Sequence, residues 1–223
     1  MQEEEKMRKK PVGFMIGGIL ALVFVLASTP ARAKFILDIG YYSPGFGKIN
    51  NYFDETTDWR GTDPEFEAGM MYGLALGYDI NPHFRVRLEH SLFESQTSGS
   101  LWIDHGPSYW LEVYKLTIAP VILSGTYKFS PFYIGAGVGS FPTTFIYTHT
   151  PEGLDYSSSE SGSDNDGSTG LVLLAGFELG DKPIFLNLEV RYIIGAKTKL
   201  EVGWVDTEVD LSGLQLSILV GFK

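Results

Sequence analysis

The 223-residue chain contains no cysteine, so neither a disulfide framework nor a thiolate metal site can form. Acidic residues outnumber basic ones by 27 to 17, and the net charge of −10 argues against nucleic acid as a partner, which needs a positive surface. Beyond residue 33 no apolar run approaches the ~20 residues of a membrane-spanning helix. Glycine and aromatic side chains are plentiful instead, with 26 glycines and 14% aromatic residues.

The first 33 residues have the pattern of a secretory signal peptide. Four basic residues within 6–10 precede an apolar run, Phe14–Ala27, which is too short to span a bilayer as a helix. Ala31 and Ala33 supply the small side chains that a signal peptidase reads. We therefore expect residues 1–33 to be a cleaved leader and residues 34–223 to be one mature domain.

Two alternatives remain open for this segment. The leader could be an uncleaved anchor helix. The chain could also start at Met7 instead of Met1, because three glutamates, residues 3–5, are unusual ahead of the basic stretch. If residues 1–33 are cleaved, the remaining domain is more acidic, because the leader has more basic than acidic residues.

The segment Phe66–Leu92 predicts a β-hairpin that the rest of the domain repeats. Two strands of period-two alternation flank a turn at Asn81-Pro82-His83, and both asparagine and proline favour turns. One face of the hairpin is apolar and aromatic: Phe66, Ala68, Met70, Tyr72, Leu74, Leu76, Tyr78, Ile80, Phe84, Val86, Leu88, His90 and Leu92. The other face consists mainly of glycine and charged residues.

This division indicates a transmembrane barrel, in which the apolar face contacts lipid and the interior takes small residues and paired charges. A soluble barrel with an apolar interior is the alternative. The same alternation predicts eight strands, with short turns after strands two, four and six and long loops after strands one, three, five and seven. We expect an all-β, eight-stranded, antiparallel up-and-down transmembrane β-barrel with both ends of the mature domain on the short-turn side.

The expected loops are a first loop up to Glu65, a second at about 95–109, a third at about 141–168 and a fourth at about 196–212. In strand four Tyr114, Leu116 and Ile118 have the opposite parity to Tyr127 and Phe129, which predicts a β-bulge between Pro120 and Gly125. In the fourth loop the alternation at Leu200, Val202 and Trp204 predicts that the strands continue beyond the membrane.

The third loop is rich in serine and acidic residues, so we expect it to be disordered. Its acidic residues also permit a calcium site. The ligand spacing and the terminal glutamate of an EF-hand are missing, however.

The predicted interior contains a set of charged residues that must be paired in a narrow barrel. Its members are Asp38, Glu67, Asp79, Arg85, Arg87, Glu89, Lys115, Glu178, Glu189 and Arg191. Such a set predicts either a salt-bridged plug that fixes strand register or a gated polar pathway. Eight strands leave an interior that side chains just fill, so a wide channel is not expected.

Three sequence features resemble the small eight-stranded outer-membrane β-barrel proteins, the group of the OmpA barrel, OmpX and OmpW. They are the segment Gly40-Tyr41-Tyr42-Ser43-Pro44, the strand 132–139 (FYIGAGVG) and the terminal aromatic Phe222, which is followed here by Lys223. The resemblance covers residues 34–223. It implies the outer membrane of a Gram-negative bacterium, contact with membrane lipid and lipopolysaccharide, a monomer, and recognition of Phe222 by the barrel assembly machinery.

Barrels of this kind have several roles, so the resemblance does not decide between functions. We expect a structural or surface-interaction role through the extracellular loops, without cofactor, metal or catalytic residues. The alternative is an OmpW-like conduit for small hydrophobic molecules, with an apolar entrance formed by Phe53, Trp59, Trp102 and Trp110.

A lipid-modifying enzyme is the third possibility. The segment Glu89-His90-Ser91-Leu92 superficially resembles the His-x-Ser-Asn arrangement of lipid A deacylases. His90 and Ser91 are adjacent on a strand, however, so their side chains point to opposite faces and cannot form a nucleophile–base pair.

Overall fold

A computed structural model describes residues 33–55, 63–102, 109–152, 160–180, 183–202 and 205–222. The leader, apart from Ala33, lies outside these residues. The strands are β1 (Ala33–Gly45), β2 (Gly69–Asn81), β3 (Phe84–Trp102), β4 (Tyr109–Ile118), β5 (Val121–Phe129), β6 (Phe132–Glu152), β7 (Glu160–Leu179), β8 (Ile184–Ile194), β9 (Lys197–Val202) and β10 (Val205–Phe222). One helix, α1 (Gly47–Glu55), follows β1.

The strands form a closed antiparallel ring of eight. β4 and β5 are two parts of the fourth barrel strand, because both pair with β3 on one side and β6 on the other. β8 and β9 are two parts of the seventh, and both pair with β10. The ring closes where β1 pairs with β10, from Phe35↔Phe222 upward. The predicted eight-stranded barrel is therefore confirmed.

The lower half of the barrel has the surface of a membrane-spanning segment. Its outward side chains are apolar and exposed on every strand, as at Ile39, Leu74, Ile134 and Leu188. Aromatic residues border this band on the short-turn side, and tyrosines border it at the other margin: Phe35, Phe84, Phe129, Phe132 and Phe222 below, Tyr41, Tyr72 and Tyr192 above. An apolar band between two aromatic girdles is the surface of a transmembrane barrel.

Above the band the two faces of the wall exchange their chemistry. On β3 the outward residues change from Leu92 to Glu94 and Gln96, whereas the inward Phe93 is fully buried. On β4 the inward residues are Tyr114, Leu116 and Ile118. The upper part therefore has a polar exterior and an apolar interior, as a soluble barrel does. We call it the extension.

This exchange shows that the bulge predicted between Pro120 and Gly125 is wrong. The pairs His90↔Val121 and Phe93↔Ile118 belong to one unbroken register, and even-numbered residues face inward from Glu112 to Thr126. The strand is interrupted only at Ala119-Pro120, where proline has no N–H to donate. The apolar residues change face because their surroundings change, and the chain continues in register.

A bulge does occur on the seventh barrel strand. The pairing moves by one residue between Gly213↔Ile193 and Val209↔Thr198, and Gly195 lies between them with a φ of 73°. A glycine at positive φ is the residue that such a bulge favours. On this strand the odd-numbered residues face inward up to Ile193, and the even-numbered residues face inward from Ala196 onward.

The long loops are shorter than the sequence predicts. β3 extends to residue 102, and β6 and β7 pair from Phe132↔Phe177 up to His149↔Glu160. The predicted disorder of the third loop is therefore wrong for residues 141–152 and 160–168, because their backbone hydrogen bonds are satisfied within a hairpin; residues 153–159 lie outside the described residues. The expected continuation of the strands in the fourth loop is confirmed by the β9–β10 pairing.

The first loop contains a helix that the sequence analysis missed. Ile49 and Phe53 are four positions apart on one face of α1, and both are fully buried. No helix among the described residues has the length and hydropathy needed to cross a membrane.

Candidate functional site: a layered barrel interior

The interior is filled by three successive sets of side chains. At the short-turn end lies the rim layer: Lys34, Asp79, Arg85, Lys128 and Glu178. The middle layer comprises Asp38, Arg87, Glu89, Glu189 and Arg191 with Tyr133, Ser91 and Gln215. Above it, the upper cluster is apolar and aromatic, and its members include Tyr42, Phe93, Ile118, Phe141, Phe145, Val172 and Leu211 together with Ile49 and Phe53 of α1.

The rim layer links five barrel strands through ion pairs. Asp79 accepts from Lys34 Nζ at 2.6 Å and from Arg85 Nε at 2.7 Å. Glu178 accepts from Arg85 Nη1 at 2.9 Å and from Lys128 Nζ at 2.8 Å. The layer thus holds three cations against two carboxylates.

The middle layer crosses the lumen between strands that lie opposite one another in the ring. Arg87 on β3 donates two hydrogen bonds to Glu189 on β8, at 2.9 and 2.7 Å. Arg191 on β8 pairs with Glu89 on β3, with its neighbour Glu189, and with Asp38 on β1 at 2.9 Å. The layer holds two cations against three carboxylates, so the two layers together are neutral.

Neutral hydrogen-bond partners satisfy further acceptors of the middle layer. Tyr133 donates its hydroxyl to Glu189 at 2.7 Å, and Ser91 donates to Glu89 at 3.0 Å. Buried charges are tolerated only when they are paired and hydrogen-bonded, and both conditions are largely met here. The arrangement matches a salt-bridged plug at this level.

The upper cluster is closed by α1 at the end of the barrel opposite to the short turns. The ring of Phe53 packs against Tyr114 with centroids 4.8 Å apart, and Phe46 packs against Phe66 at 5.7 Å. The side-chain amide of Asn50 forms two hydrogen bonds of 3.0 Å with the backbone of Phe66. On the surface, Lys48 Nζ pairs with Glu208 at 2.6 Å.

The ion pair on α1 affects the titration of Glu208. This carboxylate is partly exposed, and the hydrogen bond from Lys48 together with that from Lys197 holds the pKa of Glu208 below its ordinary value. The helix is thus attached to β10 by a surface ion pair and to the interior by two apolar side chains.

One polar group interrupts the apolar upper interior. Glu112 on β4 accepts a hydrogen bond from the hydroxyl of Tyr114, and its second oxygen lies 2.9 Å from Nδ1 of His149 on β6. The sequence analysis did not identify this group. The signal was available, because Glu112 has the same parity as Tyr114, but that parity was assigned to lipid.

Two members of the predicted lumen set do not lie in the lumen. Glu67 is exposed, in the segment between α1 and β2, where its backbone N–H approaches Ser95 Oγ at 3.4 Å. Lys115 is on the outer face and pairs with Glu94 at 2.9 Å. The assignment of Lys115 was wrong because the apolar residues beside it face inward, not outward.

The other eight predicted residues occur in the rim and middle layers, and two interior cations were missed. These are Lys34 and Lys128. Each could have been found from parity alone: Lys34 has the same parity as the inward-facing Asp38, and Lys128 has the opposite parity to the outward-facing Tyr127 and Phe129.

The structure locates only part of the predicted apolar entrance. Phe53 is fully buried in the upper cluster, and Trp110 is half-buried at an inward-facing position of β4. Trp59 and the side chain of Trp102 lie outside the described residues. Phe222 ends β10 on the lipid-facing side, paired with Phe35 and Ile184.

His90 and Ser91 occupy opposite faces of β3, as predicted. His90 is exposed on the outer face with Nδ1 3.2 Å from the carbonyl of Pro120, and Ser91 is buried in the lumen. Among the described residues no group of three or more histidine, aspartate or glutamate side chains could hold a metal ion.

Comparisons with known proteins find similar folds and no similar sequence. No protein-family model matches the chain, and no curated protein matches it. Solved structures that are similar include the outer membrane protein OprG from Pseudomonas aeruginosa, 17% identical, covering 86% of this chain and 95% of that chain with a TM-score of 0.49. Ail of Yersinia pestis is 14% identical, covering 86% and 99% with a TM-score of 0.40.

A third similar structure is Neisserial surface protein A, 14% identical, covering 86% of this chain and 96% of that chain with a TM-score of 0.37. All three are small outer-membrane proteins. The likeness concerns fold only. The closed ring of eight strands and the apolar band of the present chain place it, on its own geometry, among transmembrane β-barrels.

Proposed function

We propose that the chain is a non-conducting outer-membrane β-barrel of a Gram-negative bacterium whose role is structural or lies in surface interaction through its extracellular extension. The observation that carries this proposal is the filled interior. Ion pairs cross the lumen in the middle layer, and apolar side chains fill the space above it. Eight strands leave no room for a channel beside them.

The shape of the wall supports a role for the extension. β6 has 21 residues, whereas a tilted strand needs about 9–11 to cross a bilayer. The excess forms a paired hairpin with a polar exterior, a rigid platform for the loops. We also propose that the barrel assembly machinery recognises Phe222, which faces lipid at the end of β10. The apolar band supports contact of a single barrel, a monomer, with membrane lipid and lipopolysaccharide.

The test removes the β6–β7 part of the extension. In a strain that lacks the protein, the full chain is compared with a variant in which residues 144–165 are replaced by an Asn-Gly turn, closing the hairpin at the observed pair Thr143↔Asp166. A structural role predicts that both forms restore resistance to detergent. A surface role predicts that only the full chain restores attachment to protein-coated surfaces. The proposal is contradicted if the full chain folds in the membrane and yet restores neither resistance to detergent nor attachment.

A second candidate function is a conduit for small hydrophobic molecules, and the apolar upper cluster beneath α1 favours it. An apolar ligand could occupy the positions of Ile49 and Phe53 if α1 moved away. The chain has no cysteine, so Lys48→Cys with Glu208→Cys allows a short bismaleimide to join α1 to β10. A conduit predicts that cross-linking abolishes uptake of an apolar fluorescent probe. If the protein takes up no probe even before cross-linking, the conduit function is contradicted.

A further inference from the structure

Two cavities at the short-turn end of the barrel share the residues Phe132 and Tyr133. The first, the lipid-side groove, has a volume of about 580 Å³ and crosses the outer wall from β6 to β10. The second, the mouth pocket, has a volume of about 550 Å³ and is formed largely by the turns. The groove is almost entirely apolar, the mouth pocket is lined by polar and apolar groups in about equal parts, and the two are adjacent.

The groove exists because the side chains of the outer wall become small at one place. Ala175 is the small outward-facing residue there, between the bulkier Phe132 and Leu188, and Gly176, whose Cβ position points inward at Tyr133, lines the groove through its backbone. Its remaining wall is apolar and lies within the exposed band that faces lipid, as at Ile134 and Leu216. A linear hydrocarbon chain would bury its surface there better than on a convex wall.

The mouth pocket has the chemistry of an anion site next to this groove. Its lining includes Lys128, His83 and Ser130, which supply an ammonium group, an imidazole and a hydroxyl. Glu178 also lines it, but its two oxygens already accept from Lys128 and Arg85. The rim layer beside the pocket holds three cations against two carboxylates, so the charge nearest the pocket is positive, although the rim and middle layers together are neutral.

We propose that these two cavities form one binding site for a phospholipid of the periplasmic leaflet, with the phosphate in the mouth pocket at Lys128 and one acyl chain in the groove. Charge complementarity selects the phosphate, and the continuity of the groove with the lipid-facing band selects the acyl chain. Phe132 lies at the junction, where the glycerol backbone passes from polar to apolar surroundings. This site goes beyond the proposed structural role and is independent of it.

The test measures lipid retention by the refolded mature barrel in a neutral detergent. Native mass spectrometry with dioleoyl phosphatidylglycerol should show one retained lipid per barrel. Lys128→Gln removes the ammonium group and should weaken binding about tenfold, the value of one charge-assisted hydrogen bond. Ala175→Trp fills the groove and should weaken binding to a similar extent.

Matched controls keep the result specific. Lys115→Gln removes a lysine at the far end of the barrel, and Val138→Trp adds the same ring to the lipid face of β6 outside the groove; both should bind as the wild type does. The unboiled gel shift reports folding, and Ala175→Leu replaces the tryptophan variant if that variant does not fold.

Three results would overturn the site. Equal retention of dioleoylglycerol, which lacks the phosphate, would mean that only apolar contact acts. Displacement of the lipid by glycerol phosphate alone would mean that the groove contributes nothing. Retention of dimers that Ala175→Trp abolishes would mean that a second copy of the chain occupies the groove.

Discussion

Arg87 and Glu189 lie on opposite walls of the barrel and join across the lumen through two hydrogen bonds, with Nη1–Oε2 at 2.9 Å and Nη2–Oε1 at 2.7 Å. Both side chains are almost completely buried. Arg87→Ala leaves the carboxylates of the middle layer with one cation fewer, and we expect a loss of about 3–5 kcal/mol in unfolding free energy. Urea unfolding of the refolded barrel measures it.

Two further variants test this explanation. Replacing both partners, Arg87→Leu with Glu189→Leu, should recover much of the loss, because Arg191 still pairs with Glu89 and Asp38. Lys115→Ala breaks an exposed pair on the outer face and should cost less than about 1 kcal/mol. An unchanged unfolding midpoint for Arg87→Ala would show that Arg87 does not contribute to the network.

Leu74→Arg tests the lipid-facing assignment. The side chain of Leu74 is 51% exposed in the middle of the apolar band. Arginine at the bilayer midplane costs about 2–4 kcal/mol, so the amount of folded barrel in the membrane should fall, as judged by the unboiled gel shift. Gln96→Arg, outward on the same wall but above the band, is the control. Normal assembly of Leu74→Arg would show that Leu74 does not face lipid.

Neighbouring residues of β4 test the exchange of faces. Leu116 is fully buried in the upper cluster, whereas Thr117 is on the outer face near Glu94. Leu116→Asp buries an unpaired charge and should destabilise the barrel by about 3 kcal/mol or more, and Thr117→Asp should change its stability by less than about 1 kcal/mol. If Thr117→Asp destabilised the barrel more than Leu116→Asp in urea unfolding, the predicted bulge would be supported instead.

Asp166 joins β7 to β9 above the membrane and should make this contact dependent on pH. Its carboxylate accepts from the hydroxyl of Thr198 at 2.8 Å and from the backbone N–H of Lys199 at 2.9 Å. Partial burial opposes ionisation, but the hydrogen bonds from the amides of Lys199 and Gly167 and from Thr198 hold the pKa of Asp166 below its ordinary value of 3.8.

Because the pKa is lowered in the folded state, ionised Asp166 stabilises the contact fully above its ordinary value of 3.8, and this stabilisation is lost as the pH falls through the folded pKa. We expect hydrogen exchange at the Lys199 amide to become faster as the pH falls below about 4, relative to neighbouring amides on β9. In Asp166→Ala the exchange should be fast at every pH. Equal protection in both proteins would exclude this role for Asp166.

Strand number and lipid-facing parity could be predicted from the sequence because both depend on local alternation. Within the membrane, apolar residues such as Leu74 and Ile134 face lipid, so period two reads directly as outside and inside. Most of the charged interior follows from the same parity. The prediction failed above the apolar band, where the medium outside the wall changes from lipid to water. There the apolar Leu116 faces inward and the charged Lys115 faces outward, which reverses the pattern found within the membrane.

The helix and the pairing of the interior required three-dimensional information. Ile49 and Phe53 have helical spacing, but a nine-residue helix is stable only through packing, here in the upper cluster. Parity places Arg87 and Glu189 in the lumen. Their contact depends on strands β3 and β8 being opposite in the closed ring, which local alternation cannot specify.

The central claim is that the interior is filled in successive layers, and single-channel conductance of the refolded mature barrel in a planar bilayer tests it most directly. The unboiled gel shift confirms folding in the same preparation. We predict a folded barrel without discrete current steps. Discrete openings in the wild-type protein would contradict the account, because current could pass only if the pairs between Arg87, Glu189 and Arg191 left an open path.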